Sequence, residues 1–347
     1  MKIFTLGEKN KLFLLIIIGL GLLITPDLSP AGDALFYFQQ GLSLEKSGKY
    51  SEALAAFDKA LEMDPDHPYP YILAGANIKF LQGDLSGALV AFDKAIELDP
   101  DNPYPYIIRG NIKVRLGLLN VALADFTRAT VLDPRNPVPY VLTGQIRVEQ
   151  GSWQAALIAY SRAIDLDPKN AISYFNRGSV KVQLRDLKGA SIDFTQAVAL
   201  NPDDPVFYHA RGVILFYHED LPGALKDFSR AASLSPHNWV LYYLIGIIKE
   251  HQEDLPGALA SYQKSLQLKA DHLEVSKRIE IIEKELAEGP MVVQVLEDPG
   301  EDEELSPSPK GPKKKAITPK PSRPKRRGTL KMDFDELIKY FPPFGPK

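Results

Sequence analysis

The chain has 347 residues and no cysteine. That excludes a disulfide framework, a thiolate zinc site, a cysteine nucleophile and a lipid-modified N-terminal cysteine. It also leaves the chain indifferent to the redox state of its compartment. Histidine is sparse: His67, His209, His218, His237, His251 and His272 are scattered at junctions and helix ends, none in an H-E-x-x-H or paired-ligand spacing. A phosphate loop with its lysine and a nucleophile elbow are missing too. The sequence therefore reads as a non-enzyme with no cofactor and no metal. Asp99, Asp133 and Asp167 look like candidate acids until one notes that each precedes a helix-ending proline. Turn and terminus roles account for them.

Long apolar runs are equally scarce. Leu12 to Ile24 is one, thirteen residues preceded by Lys2, Lys9 and Lys11. At about 1.5 Å per residue it reaches about 20 Å, short of the roughly 30 Å hydrocarbon core of a bilayer. It reads better as the core of a signal peptide, and Ser29-Pro30-Ala31 predicts cleavage after Ala31. An uncleaved short membrane anchor is the alternative for residues 1–31. Either way the expected location is exported and extracytoplasmic, for instance periplasmic.

What the chain has in abundance is itself. A proline recurs at 65, 100, 134, 168, 202 and 236, a spacing of 35 and then 34. The clearest copy, 103–136, places Tyr106, Gly110 and Leu116 at helical spacing before a break at Gly117. Ala122, Phe126 and Ala129 follow at i, i+4 and i+7. Each copy is a helix, a turn and a second helix. Small residues (Gly41, Gly110, Gly144, Gly178, Gly212, Gly246) mark the first helices, and an alanine followed four residues later by an aromatic (Ala122 and Phe126, Ala190 and Phe194) marks the second.

This pattern resembles the tetratricopeptide repeats. The resemblance implies an all-α fold: a right-handed α-solenoid of seven repeats at 34–67, 68–102, 103–136, 137–170, 171–204, 205–238 and 239–272. Residues 273–288 follow as an amphipathic capping helix, with Val275, Ile279, Ile282 and Leu286 on its apolar stripe. The small residues are expected to let paired helices approach closely. Repeat two carries one extra residue, which predicts a π-type bulge near Gly75 to Asn77. Gly48, Gly83, Gly117 and Gly151 close the turns of the first four repeats. Arg185, Glu219 and Glu253 take that place later, where Asp186, Asp220 and Asp254 are expected to cap the second helix.

Members of this family generally bind partners on the first-helix face, at the second, fifth, ninth, twelfth and thirteenth residues of a repeat. Carried over, the ninth positions are Asn77, Asn111, Gln145 and Ser179, an amide row able to pair with the backbone of an extended peptide. The twelfth positions are Phe80, Val114, Val148, Val182 and Phe216, expected as an exposed apolar stripe. Tyr69, Tyr104, Ile107 and Arg115 are expected to frame one end. The two-carboxylate clamp of some relatives is put in doubt by Ile107, which stands where its first lysine would lie.

Residues 289–347 carry twelve Lys and Arg against nine Asp and Glu, residues 1–33 three of each, and the repeats hold the remaining negative balance. An acidic array is a poor general nucleic-acid binder, and no specific nucleic acid is expected. Residues 289–329 turn from acidic to basic and proline-rich and read as a disordered linker, with an anionic or membrane surface as one contact for its basic run. At 330–344, Leu330, Phe334, Leu337, Ile338 and Phe341 restore a helical stripe that either folds on a partner or docks on the chain's own groove. The implied function is a scaffold that captures an extended or helical peptide segment of a protein partner during assembly of an envelope or membrane complex. A self-associating array, joined through terminal repeats or exchanged tails, is the alternative.

Overall fold

The computed structural model describes residues 31–288 and 334–342. The leader and its cleavage site at Ala31, the linker to residue 329 and Leu330 concern residues that lie outside this range or at its edge. Among the described residues all regular structure is helical.

The helices pair as the repeats predict. In the residues up to Asn201, α1 (Ala31–Lys46) and α2 (Tyr50–Met63) form repeat one, and α3 (Tyr69–Gln82) and α4 (Leu85–Leu98) repeat two. Repeat three is α5 (Pro103–Arg115) with α6 (Leu119–Leu132), repeat four α7 (Val138–Glu149) with α8 (Trp153–Leu166), and repeat five α9 (Ala171–Gln183) with α10 (Leu187–Leu200). These form one compact block, and the described residues within 202–342 form another. The second holds α11 (Pro205–Tyr217) and α12 (Leu221–Leu234), α13 (Trp239–His251) and α14 (Leu255–Leu268), α15 (Leu273–Glu288) and the short α16 (Phe334–Lys339).

Local chemistry sets the boundaries. Asn102 accepts the Tyr104 N–H at 3.0 Å, and Pro103 occupies the first helical position, where no N–H is needed. At the other end of α5, Gly117 turns into the left-handed region at φ 76° while Leu118 N–H bonds the Lys113 carbonyl at 2.8 Å. In the last three repeats Arg185, Glu219 and Glu253 hold the same conformation at φ 62°, 61° and 62°. Asp186, Asp220 and Asp254 cap the following helices through the N–H groups of Gly189, Gly223 and Gly257, as expected.

Packing follows the small and aromatic positions. A Cβ at residue 110 would stand 2.6 Å from Phe126 Cε1, and one at 178 would stand 2.7 Å from Phe194 Cε1, so only glycine lets these helix pairs close. The alanines at 53, 88, 122, 156, 190, 224 and 258 are fully buried, and Phe92, Phe126, Phe194 and Phe228 are inaccessible. Each such ring contributes roughly 2–3 kcal/mol of hydrophobic stabilisation.

The expected bulge in repeat two is absent: α3 is a regular α-helix from Tyr69 to Gln82, one residue longer than α5. Counting back from Phe92, Ala76 occupies the place that Gly110 holds opposite Phe126, and the two pack in one cluster. A Cβ at residue 75 would instead meet Leu54 Cδ2 of repeat one at an ordinary 3.7 Å. The extra residue is taken up at the N-terminal end, where Pro68 adopts helical dihedrals before Tyr69 and its carbonyl accepts the Ile72 N–H. First-turn N–H groups need no partner, so adding a residue there breaks no ladder bond, whereas a mid-helix bulge would.

The capping helix α15 buries Val275, Ile279 and Ile282 but leaves Leu286 exposed, one turn beyond the end of the packed stripe.

Candidate functional site

Salt bridges tie the two helices of a repeat together before any binding face is considered. Arg109 of α5 meets Asp125 of α6 through two hydrogen bonds of 3.0 and 2.6 Å, and Lys113 reaches the same carboxylate at 2.8 Å. Arg177 repeats this with Asp193 (2.9 and 2.7 Å) and Arg211 with Asp227 (2.6 and 2.7 Å). These carboxylates raise the pKa of each guanidinium. Sequence reasoning passed over these pairs, although an Arg-Gly followed sixteen residues later by Asp-Phe is visible in all three repeats. Asp99, Asp133 and Asp167 play the turn roles expected of them, accepting the N–H groups of Asp101, Arg135 and Lys169.

On the first-helix face of the first block, several predicted site residues meet one another. The Tyr104 hydroxyl of α5 donates to Asn77 Oδ1 of α3 at 3.0 Å, and the Arg115 guanidinium lies 5.3 Å from the centre of the Phe80 ring. These two contacts fasten successive first helices. The amide row is consequently shorter than the sequence predicts. Asn77 is engaged, and Ser179, buried, back-bonds to the Phe175 carbonyl at 2.9 Å. Asn111 and Gln145 stay half-buried and without a hydrogen bond among the described residues.

The exposed apolar stripe is also corrected. Val182 and Phe216 are buried at 0% and 1% exposure, Ile107 is buried, and Phe80, Val114 and Val148 are half-buried against the clusters behind them. Apolar side chains at the twelfth position lean into the seam between helices rather than stand on the face, because burial is worth more there than exposure.

Two features were not foreseen. Glu45 of α1 is the twelfth residue of repeat one, in the row that elsewhere carries Phe80 and Val114, and extending that row back one repeat would have found it. It is 9% exposed, and burial raises its carboxyl pKa. Its charge is felt by Tyr104, whose own pKa burial raises, and Tyr69 next in the sequence row has its hydroxyl enclosed without a partner. Beside this cluster a cavity of about 460 Å³ is lined by Tyr104, Ile107, Ile108, Asn136 and the carboxylates Asp99, Asp101 and Asp133. Its lining thus combines the buried Ile107 and Ile108 with three carboxylates.

In the second block the fifth residues of repeats six and seven, His209 and Tyr243, carry the C-terminal segment. Tyr243 lies 5.7 Å, ring centre to ring centre, from Tyr340, and the two hydroxyls are hydrogen-bonded. The Tyr243 hydroxyl also meets Glu274 Oε1 of α15 at 2.9 Å, and its ring contacts His272 at 5.3 Å and Tyr262 at 6.1 Å. His209, 6% exposed, hydrogen-bonds to the backbone of Tyr340 while its Nε2 has no partner. Burial pushes its pKa down to about 4, with the Tyr340 bond acting in the opposite sense.

Family models for the tetratricopeptide repeat match residues 34–67, 76–117 and 143–214, and a fourth matches 107–171 and 209–272. The chain belongs to the tetratricopeptide-repeat family. Proteins of this family are protein-interaction scaffolds that bind protein or peptide partners. Among solved structures, this tetratricopeptide-repeat chain is similar to the C-terminal part of a TPR repeat-containing protein from Cytophaga hutchinsonii, at 15% identity and a TM-score of 0.58 over 70% of this chain and 99% of that one. It is likewise similar to a tetratricopeptide repeat protein from Parabacteroides merdae, at 16% identity and 0.51 over 73% and 99%. YrrB, described as a TPR protein with an unusual peptide-binding site, aligns with 55% of this chain and 98% of its own at 26% identity and 0.49. The first two likenesses show the fold alone. No curated protein matches the chain. No described helix is long and apolar enough to cross a membrane.

Proposed function

We propose that this tetratricopeptide-repeat protein is a non-catalytic scaffold whose first-helix face in the first block captures a neutral or basic peptide segment in extended form. The observation that carries the reading is the pair of unengaged, half-buried amides Asn111 and Gln145 at equivalent places on the successive first helices α5 and α7. A half-buried amide with neither donor nor acceptor paired suits a peptide backbone, which offers both. The carboxylates Asp99, Asp101 and Asp133, which line the cavity between repeats two and four, disfavour an acidic partner. An assembly role at an envelope or membrane follows only from the apolar leader, and sequencing the mature N-terminus after expression in a host with an export pathway tests that part.

For binding itself, peptides selected from a random library on the full chain should lose at least tenfold in affinity to Asn111→Ala with Gln145→Ala. Equal affinity for both chains refutes the amide reading. Asn77→Ala serves as a contrast, since it removes a contact between helices and should act on stability first.

A further inference from the structure

The C-terminal segment contains a six-residue helix, α16, followed by Tyr340, Phe341 and Pro342. A helix of one and a half turns does not hold itself in water, because nucleation costs more than so few hydrogen bonds return. Its order comes from what it touches. Tyr340 meets Tyr243 by ring and hydroxyl and His209 through its backbone, and Pro342 is buried. His209 and Tyr243 occupy equivalent places on α11 and α13, one repeat apart. The segment therefore spans two first helices in the manner of a bound peptide.

We propose that residues 334–342 are an internal ligand, occupying in cis a site formed by His209 and Tyr243 for a short aromatic-aromatic-proline segment, so that a partner segment binds there only after displacing it. Three features favour the chain's own tail over that of a second copy. The site includes Glu274 of α15, the helix from whose end the tail departs. Residues 289–333, at about 3.3 Å per extended residue, are more than long enough to return to it. A tethered segment acts at an effective concentration near millimolar, which a second molecule must match to compete. The partner class follows from the occupant: a segment that presents a tyrosine ring and hydroxyl to Tyr243, a backbone carbonyl to His209 and a proline behind them. This inference stands independently of the amide face in the first block.

Two measurements on the full chain test it. The first places the photocrosslinker p-benzoylphenylalanine at position 340 and irradiates an equal mixture of natural-abundance and nitrogen-15 chains. Crosslinks to 205–217, to 239–251 or to 272–276 within one chain are expected. Crosslinks between isotopically different chains, or to other regions, overturn the proposal. The second titrates a fluorescent peptide of residues 329–347 into wild type and into Tyr340→Ala with Pro342→Ala, changes that lie outside the repeats. The variant, its site vacated, should bind the peptide at least tenfold more tightly than wild type, and adding Tyr243→Phe, which removes the hydroxyl contact and keeps the ring, should weaken that binding. Equal affinity for wild type and variant, or no binding to either, overturns it.

Discussion

Adding one methyl group at Gly110 tests how the repeats pack. The new Cβ would lie 2.6, 2.9 and 3.1 Å from Phe126 Cε1, Cδ1 and Cζ, where carbon atoms normally rest about 3.5–4.0 Å apart. Phe126 is fully buried between Ala122 and Ile146, so its ring cannot swing aside, and α5 and α6 must separate by nearly 1 Å. Overpacking of this kind costs about 1–3 kcal/mol. Against it stands the helix preference of alanine over glycine, about 1 kcal/mol. The balance should leave Gly110→Ala destabilised by roughly 1 kcal/mol. Gly75→Ala is the matched control, because its Cβ would meet only Leu54 at an ordinary 3.7 Å; it should gain up to about 1 kcal/mol. Urea denaturation of both, and of Gly110→Ala in a Phe126→Leu background, reads the signs. Relief of the penalty by Phe126→Leu is expected. Ala76 already stands beside Phe92 in repeat two, so the helix pair accepts a methyl when built around one. If Gly110→Ala stabilises as Gly75→Ala does, the close approach is not what glycine is there for.

Other substitutions probe separate contacts. Asp193→Ala leaves Arg177 and Lys181 without their shared buried carboxylate and should cost about 2–3 kcal/mol in denaturant titrations, less than a fully enclosed pair because both cations can turn to water. Glu219→Gly relieves a left-handed backbone at φ 61° and should raise stability by about 1 kcal/mol, seen as a higher midpoint. His209 has a folded pKa near 4, below its unfolded value of about 6.5. The unfolded chain thus takes up the proton first, and the stability it contributes is complete above about pH 6.5 and lost as pH falls toward 4. By pH 5 wild type should lose about 2 kcal/mol more than His209→Gln, measured as the difference between their unfolding free energies at pH 7.5 and 5.

How much was legible follows from where each signal resides. The repeat and its helix boundaries are written locally, in Asn102-Pro103, in Gly117 and in the Asp caps, because a cap or a left-handed turn needs only neighbours in sequence. The close helix pairing was legible from Gly110 and Phe126 for the same reason: two residues sixteen apart in one short hairpin are bound to meet. The extra residue in repeat two was read correctly as present but placed wrongly, since sequence register cannot tell a bulge from a helix that starts one residue sooner.

The candidate face was only partly legible. Position in the repeat placed Asn111 and Gln145 among the candidates, yet it could not show that Tyr104 claims Asn77, that Ser179 turns back on its own helix, or that Val182 and Phe216 sink into the seam. Those outcomes depend on which side chain the adjacent first helix presents, a contact across about thirty residues for Tyr104 and Asn77. The amino-acid sequence by itself determined an all-helical tetratricopeptide array and the types of residue along each face, because periodicity and capping are short-range physics. Tertiary structure alone decided which polar groups remain unpaired, that Glu45 is buried, and that Tyr340 rests on His209 and Tyr243, because burial and pairing are properties of neighbours that the chain brings together only by folding.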